Sequence, residues 1–443
     1  MANNVKQRRY GVILSYISTL SSILVGVLYT PYAIRMLGQT EYGNYHYVSS
    51  VVSYLSLLTC GFGSAYLRFA SPYRKNNDKA GIENVNGLFL SLFLFMGTVA
   101  LVVGGFMTNY SDFVLGGKLT NSELETGKIL MGILVVNLFM SFPVSIFNSY
   151  IIAQEKFIFQ KSIALVHALL TPGVSIYAMA IGYKAVGLAV SVLVVTILLN
   201  TITILYCLIH LKMRFRFQFT KLKHIKEVFV FSSFLLLSMV VDQINWTVDK
   251  YMLGKICGTA TVAIYSVGAT INTHYKSMGE AISNVFVPRV YNVLNEENGD
   301  EKATHLMTRI GRYQMVVLGL VLTGFIVYGK AFLDLWVGPE YREAYFVLLL
   351  LMIPVTIPEI QKLGLEIQKA KNMHKFRSVL YAVIAFVNLL ISIPLSMWFG
   401  AIGAAAGTAI LISFLLSFAF LREVLLFLSL RSRRSSSRSP MLS

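Results

Sequence analysis

The sequence predicts an all-α integral membrane protein with about twelve transmembrane helices, arranged as two pseudo-symmetric bundles of six. Three observations lead to this prediction. The composition is too apolar for a soluble surface, long uncharged segments recur along the chain, and the second half repeats the first at an offset of 216 residues. Together they describe a membrane protein built from two related halves.

The composition indicates the environment that surrounds this protein. Hydrophobic residues make up 56% of the 443 residues and charged residues only 13%, with a mean hydropathy of +0.65. A soluble domain carries about 25% charged residues. A chain so poor in charge cannot cover a soluble core of this size, and we therefore expect most of it to lie in a lipid bilayer.

The apolar segments have the length of membrane spans. A transmembrane helix needs about 20 mostly apolar residues to cross the hydrocarbon. The first segment is too long for a signal peptide and is not followed by a small-residue cleavage site. The predicted spans are 10–34, 42–67, 84–111, 129–153, 162–183, 185–211, 228–254, 259–288, 313–329, 344–358, 378–398 and 401–421. Those near 228, 259 and 344 are the least uniform, because charges lie in or beside them.

The repeat defines the predicted domains. Residues 36–38 (MLG) match 252–254 (MLG), 161–163 (KSI) match 377–379 (RSV), and 185–189 (AVGLA) match 401–405 (AIGAA). Six spans in each half start both halves on the same side of the membrane, which is the parallel repeat found in some transporters. We predict bundles at 1–215 and 216–428, followed by a disordered, basic and Ser-rich cytoplasmic tail at 429–443.

The distribution of charge predicts the topology. The net charge is +17, and with the N-terminus inside, 29 of the 38 Lys and Arg residues fall in inside segments, where Arg68, Arg74, Lys75 and Lys79 share one loop. This is the positive-inside pattern, and it predicts that both termini lie in the cytoplasm. Basicity here reflects topology, and we expect no nucleic-acid partner.

Soluble-enzyme chemistry is missing from the sequence. Cys60, Cys207 and Cys257 are widely spaced and form neither a C-x-x-C pair nor a metal-binding pattern. The chain has no Gly-rich phosphate loop and no common hydrolase motif. We therefore expect a protein that is not an enzyme, without catalytic residues, metal or cofactor, driven by an ion gradient or the membrane potential.

Two segments carry a family resemblance. Residues 30–43 (TPYAIRMLGQTEYG) and residues 249–254 (DKYMLG), followed by Tyr265, resemble the matching motifs of the polysaccharide flippases in the MOP (MATE-like) exporter superfamily. The resemblance covers about residues 5–428. It implies a V-shaped pair of six-helix bundles around a cavity that opens alternately to each side. It also implies an undecaprenyl-diphosphate-linked oligosaccharide as cargo, a unit of O-antigen, capsule or another surface polysaccharide. A polysaccharide polymerase and chain-length machinery are the implied partners, beside membrane lipids.

Polar groups inside the spans are the candidate cargo-binding residues. Sugar hydroxyls each cost several kcal/mol when moved into hydrocarbon without a partner, and ionisable residues at membrane depth mark transport pathways. Asp242 and Asp249 lie on one face of the seventh span, with Lys250 beside them. Asp242 is about 21 Å from the start of that span. The structural alternatives are an ion pair or helix–helix hydrogen bond for Asp242, and an interfacial pair for Asp249 and Lys250.

Further candidates lie on the eighth span and at the end of the first. Lys276 and Glu280 belong to a polar stripe at four-residue spacing, and they either bind cargo or neutralise each other. Arg35 lies one position from the repeat equivalent of Lys250. The two cations are predicted to hold a diphosphate together; the alternative for Arg35 is an anchor among the outer headgroups.

The tenth span contains a candidate hinge. Pro354 and Pro358 interrupt its hydrogen bonding and precede Glu359, a candidate coupling residue. His167 on the fifth span is a weaker candidate, because a lone histidine in a helix is more often a packing residue.

Three other functions are compatible with parts of the pattern. A cation-coupled small-molecule exporter would share the fold. A membrane-embedded polysaccharide polymerase or ligase is a different class, and it would be expected to carry a sizeable catalytic outer loop, whereas the longest one here has about 20 residues. A lipid II flippase would be expected to carry two additional C-terminal helices.

Overall fold

The computed structural model describes residues 2–217, 222–294, 296–370, 383 and 385–413. Nearly all of these residues are helical, and no strand occurs among them, which confirms the all-α prediction. The repeat segment 377–379 and the predicted tail at 429–443 lie outside the described residues.

The chain forms two compact units. The first unit takes its described residues from Met1–Val267 and Ala331–Ala344, and the second unit from Gly268–Lys330 and Tyr345–Ser443. These units group residues by contact, whereas the predicted bundles at 1–215 and 216–428 rest on the sequence repeat. The predicted domain boundary therefore stays a prediction.

The helices of the first unit follow one another with short connections. They are α1 (Ala2–Ser53), α2 (Phe62–Lys75), α3 (Lys79–Asn109), α4 (Ser111–Leu115), α5 (Asn121–Ala153), α6 (Phe157–Ala180), α7 (Lys184–Leu205) and α8 (Leu222–Ile256), with a 3₁₀ turn at Tyr54–Thr59 and a π turn at Tyr206–His210. Helix α9 (Thr259–Val293) and helix α10 (Gly299–Trp336) each contribute residues to both units. A 3₁₀ turn at Pro339–Tyr341 follows α10.

The second unit contains the remaining helices. They are α11 (Ala344–Ile360), α12 (Lys362–Ala370) and α13 (Ala385–Ser413). Val290, Leu306, Ile310 and Leu363 form one buried apolar cluster in this unit.

Backbone breaks divide two of the helical segments, α1 and α13, into spans. Gly38 has φ 76° and ψ 166°, a conformation that glycine adopts at no steric cost, and it separates the first two predicted spans within α1. Gly400, with φ 55°, lies within α13 between the last two predicted spans. Each long segment therefore holds residues of two spans.

Eight helices among the described residues are long and apolar enough to cross a membrane, or nine if the bent pair α11–α12 counts as one span. Helix α9 is long enough but is not among them. When the breaks at Gly38 and Gly400 and helix α9 are included, helical segments occupy all twelve predicted positions, the eleventh and twelfth in part. The protein is a multi-pass membrane protein with the predicted helical architecture.

Local sequence explains where helices begin. Thr120 and Glu123 form a capping box at the start of α5: the Thr120 hydroxyl accepts from the Glu123 backbone N–H at 3.3 Å, and Glu123 Oε2 accepts from the Thr120 N–H at 2.7 Å. Asp78 caps α3 by accepting from the Gly81 N–H at 2.9 Å. These caps fix the residues at which α5 and α3 begin.

Residues of the two predicted repeats contact each other inside the first unit. A Cβ atom on Gly43 of α1 would overlap the carbonyl oxygen of Thr259, the first residue of α9. A Cβ atom on Gly254 of α8 would overlap the ring of Tyr47. Only glycine permits these approaches, which accounts for two glycines of the motifs at 30–43 and 249–254.

Candidate functional site

The predicted site residues are distributed over both units. Arg35, His167, Asp242, Asp249 and Lys250 belong to the first unit, and Lys276, Glu280, Pro354, Pro358 and Glu359 to the second. We describe each group within its own unit. Their assignment to cargo binding or coupling stays a prediction.

Asp249 is buried and hydrogen-bonded within its own motif. Its side chain is 1% exposed, and its Oδ2 accepts a hydrogen bond from the Tyr265 hydroxyl at 2.6 Å. The motif that begins at Asp249 ends at Tyr265, so the two outer positions of the motif form one contact between α8 and α9. A buried carboxylate with a short phenolic hydrogen bond holds two helices in register.

Lys250 lies among aromatic side chains and a histidine. The His46 ring of α1 is close enough to interact electrostatically with Lys250. His46 is in edge contact with Tyr42, at 4.4 Å between ring centroids, and the neighbouring Tyr47 stacks on Tyr251 at 6.1 Å. This part of the first unit therefore combines one lysine with a histidine and aromatic rings, which suits a phosphate linked to a sugar.

Arg35 is exposed and contacts the segment after Lys330. Its Nη2 donates to the carbonyl of Leu335 at 3.2 Å, and the Trp336 indole N–H donates to the carbonyl of Val27 at 2.7 Å. Two hydrogen bonds thus attach the end of the first span to the end of α10. One bond to a neutral carbonyl leaves most of the guanidinium's five donors available to another acceptor.

Asp242 occupies an exposed position on α8. The next residue, Gln243, donates from Nε2 to the Ser53 hydroxyl at 2.6 Å and ties α8 to the end of α1. His167 is also exposed, on α6. Neither side chain belongs to the buried core of the first unit, so both remain accessible to solvent or to a ligand.

Lys276, Glu280 and Glu359 come together in the second unit around a residue that the sequence analysis missed. Lys362 Nζ lies 2.5 Å from Glu280 Oε1 and 3.4 Å from Glu359 Oε2. Lys276 is close enough to Glu359 to interact electrostatically. We name Glu280, Glu359 and Lys362 the acid–lysine cluster. The predicted stripe on α9 therefore meets Glu359 on α11 through a lysine on α12.

The hinge candidates lie just before a bend. Pro354 and Pro358 are inside α11, and the axes of α11 and α12 differ by 49° across Gln361. A proline removes one backbone hydrogen bond and clashes with the carbonyl four residues earlier, which weakens a helix at that point. The bend supports the choice of this segment, while its movement stays a prediction.

Sequence reasoning also missed a hydrogen-bond group in the first unit. Glu123 Oε1 accepts from the Thr259 hydroxyl at 2.5 Å, and its backbone carbonyl accepts from Asn44 Nδ2 at 2.8 Å. Glu123 therefore connects the starts of α5 and α9 with α1. The T-x-x-E pattern at Thr120 could have indicated its capping role, but no local signal indicates the partners on α1 and α9.

Comparisons with known proteins agree with this architecture. Residues 9–292 match the family described as "Polysaccharide biosynthesis protein". A Shigella flexneri protein named as an O-antigen transporter is 19% identical over 394 residues, covering 87% of this chain and 90% of that protein.

Two solved structures share the fold. The first is a MATE family multidrug resistance transporter of the MOP superfamily, solved in an inward-facing conformation. It has a TM-score of 0.71 at 13% identity and covers 94% of this chain and 99% of its own. The second is the lipid II flippase MurJ in an inward closed conformation. It has a TM-score of 0.73 at 15% identity and covers 93% of this chain and 87% of its own.

Proposed function

The chain belongs to the polysaccharide biosynthesis protein family, and we propose that it moves a lipid-linked oligosaccharide across the bacterial plasma membrane by alternating access. The observation that carries this proposal is the family match over residues 9–292, more than half of the chain. The full-length similarity to a protein named as an O-antigen transporter supports the same conclusion. The relative and the two solved structures described above are named as transporters or flippases.

The cargo we propose is an oligosaccharide on undecaprenyl diphosphate, a unit of O-antigen, capsule or another surface polysaccharide. Its headgroup carries many hydroxyls and two phosphates, which cannot enter hydrocarbon without large desolvation costs. A protein cavity with polar walls removes that cost while the lipid tail stays in the membrane. The outward product then becomes the substrate of a polymerising enzyme and of chain-length machinery on the outer side.

The contacts favour separate roles for the predicted cargo residues. Lys250, with His46 nearby, and Arg35, with donors available, are suited to phosphate oxygens. Asp242 is exposed and suited to sugar hydroxyls, whereas Asp249 positions α8 against α9. We propose that an ion gradient or the membrane potential supplies the driving force.

The test is a flipping assay on purified protein in proteoliposomes. A fluorescent undecaprenyl-diphosphate oligosaccharide is placed in both leaflets, and a membrane-impermeant glycosidase outside the vesicles removes the accessible sugars. We expect protein-containing vesicles to expose nearly all of the cargo, while empty vesicles expose about half, because spontaneous flipping is negligible.

Three results would contradict the proposal. Unchanged exposure in protein-containing vesicles would reject flipping. Export of a small cationic dye without cargo flipping would favour a cation-coupled small-molecule exporter. Elongation of the oligosaccharide by the protein alone would indicate a polymerase.

A further inference from the structure

The acid–lysine cluster in the second unit contains two carboxylates that share one close lysine. Lys362 Nζ is 2.5 Å from Glu280 Oε1, and it lies 3.4 Å from both carboxylate oxygens of Glu359. The contact to Glu280 is thus a close ion pair, while the contact to Glu359 is long for a charge-assisted hydrogen bond. Glu359 therefore shares Lys362 with Glu280, while Lys276 is close enough to interact with it electrostatically.

Glu359 is the buried member of the cluster. The residue is 4% exposed, whereas the Glu280 side chain is 43% exposed. It packs against Gly279 on α9, where an added Cβ atom would lie 3.1 Å from Glu359 Oε2. Burying a carboxylate costs free energy that a nearby cation and hydrogen bonds must offset.

Gln314 on α10 provides a second, independent observation beside the cluster. Its side chain is fully buried, and Nε2 donates to the carbonyls of Gly279 and Glu359 at 2.9 and 3.1 Å and to the Ser283 hydroxyl at 2.6 Å. Two of these acceptors are carbonyls, so the NH₂ group must face them. The amide oxygen, Oε1, has no hydrogen-bond partner among the described residues. A buried acceptor without a donor indicates that the site lacks one hydrogen-bond donor, which a bound proton or a bound ligand would supply.

The cluster lies across the bend of the tenth span. Glu359 is the penultimate residue of α11 and Lys362 the first residue of α12, and the two helices meet at 49°. Their ion pair therefore connects the two sides of the bend, and the bond from Lys362 to Glu280 attaches α12 to α9. A change in the charge of Glu359 acts directly on the contact that spans the bend.

We propose that the acid–lysine cluster is the proton-binding site that couples an ion gradient to the transport cycle, with Glu359 as the group that takes up the proton. One proton converts the Glu359 carboxylate to a neutral acid, and Lys362 keeps its ion pair with Glu280. The neutral acid no longer attracts Lys362 across the bend, and its O–H adds one hydrogen-bond donor to a cluster whose neighbour Gln314 has a buried amide oxygen without a partner among the described residues. The role of this site in coupling rests on the proposed transport function, whereas proton uptake by Glu359 does not depend on it.

The charged and titratable groups that face Glu359 are few. Among the described residues they are Lys276, Glu280 and Tyr275 from α9 and Lys362 from α12, while α10 contributes the uncharged Gln314. The positive charges of the two lysines balance the negative charges of the two carboxylates. One bound proton therefore gives these four groups a net charge of +1. That change of charge inside the protein is what a proton gradient or a membrane potential can act on.

Proton uptake by Glu359 is tested by infrared difference spectroscopy. The sample is the full chain in lipid nanodiscs without cargo, and it is titrated with acid. We expect a protonated-carboxyl band in the wild type that is absent from Glu359→Gln. Lys362→Gln removes the shared cation, and its band should appear at a proton concentration at least about tenfold lower than in the wild type. The control is Glu296→Gln, which breaks the exposed pair between Glu296 and Lys302, joined at 2.8 Å with both side chains 51% exposed. It should leave the band unchanged.

The bend is followed in the same samples by spin labels on α11 and α12. The distance between the labels should change with acid in the wild type and in Glu296→Gln, and stay fixed in Glu359→Gln. An acid band that persists in Glu359→Gln, or an unshifted band in Lys362→Gln, would overturn the site. If Glu359→Gln does not fold, the shift in Lys362→Gln decides alone. A normal band in a protein that flips no cargo would reject the proposed function and leave the proton site standing.

Discussion

The Tyr265 hydroxyl donates a 2.6 Å hydrogen bond to the buried carboxylate of Asp249, so the two outer positions of one sequence motif hold α8 against α9. Tyr265→Phe removes this donor and leaves the ring in place. We expect a loss of about 1–3 kcal/mol in stability, the cost of removing a buried hydrogen-bond partner. Thermal unfolding in detergent measures it, with Tyr183→Phe at an exposed position as the control. Equal melting temperatures would show that the bond contributes nothing.

Asp242 offers a substitution that separates function from folding. Because its side chain is exposed, Asp242→Asn replaces carboxylate by amide at nearly constant volume without disturbing the core. We expect normal insertion and thermal stability together with a sharp loss of cargo flipping in proteoliposomes. Wild-type flipping by this variant would remove Asp242 from the cargo site.

Arg35 and Lys250 are predicted to bind one diphosphate. Arginine grips phosphate oxygens in bidentate fashion, and lysine acts as a point charge. We expect the losses from Arg35→Gln and Lys250→Gln to be non-additive when binding of a lipid-diphosphate analogue is measured in a double-mutant cycle. Strictly additive losses would assign the two cations to separate ligands. Because Arg35 also contacts the Leu335 carbonyl, the melting temperature of each variant serves as the control.

Cys257 reports the predicted topology and the chemistry of its surroundings. It lies between α8 and α9 on the predicted outer side, where partial burial raises the pKa of its thiol, and Lys118 partly offsets this. A raised pKa leaves less thiolate at neutral pH, so labelling by an impermeant maleimide should be slow and accelerate as the pH rises. Labelling from the cytoplasmic side alone would reverse the predicted orientation. Cys207 is fully buried and should remain unlabelled.

The hydrogen bond between Thr259 and Glu123 is predicted to restrain the segment around Cys257 in the first unit. Thr259→Val removes the hydroxyl that donates to Glu123 Oε1. A hydrogen bond to a charged group contributes about 1.5–3 kcal/mol, so we expect Cys257 labelling to accelerate by about tenfold or more. Thr273→Val is the matched control, because that hydroxyl donates to the Ala269 carbonyl within its own helix. Identical rates in both variants would show that the bond does not restrain this region.

The sequence was sufficient for those features that depend on local pattern. Uncharged length predicts the spans, and Gly38 lies where the first two spans meet. The topology that follows from the Lys and Arg asymmetry stays a prediction. The T-x-x-E pattern at Thr120 is also a local signal, because a capping box needs only four neighbouring residues.

Partners far apart in the chain could not be predicted in this way. Lys362 pairs with Glu280 across 82 residues, and Arg35 reaches the Leu335 carbonyl across 300. Helical periodicity gives the face of a residue but not the helix that meets it. Gln314 carries no charge and has no motif, so nothing in the sequence distinguishes it from a packing residue before α9, α10 and α11 are assembled.

The contact between Gly43 and Thr259 has a consequence for how the chain originated. The two residues are separated by 216 positions, the offset of the predicted repeat, so each is the other's equivalent. In an ancestral pair of identical half-length chains, this residue would have met its own copy on the two-fold axis, as in an isologous dimer. Such a dimer must accept the same side chain twice at the closest point of approach. A single chain is free of that constraint: position 43 is a glycine, which permits the approach, and position 259 is a threonine, which donates to Glu123.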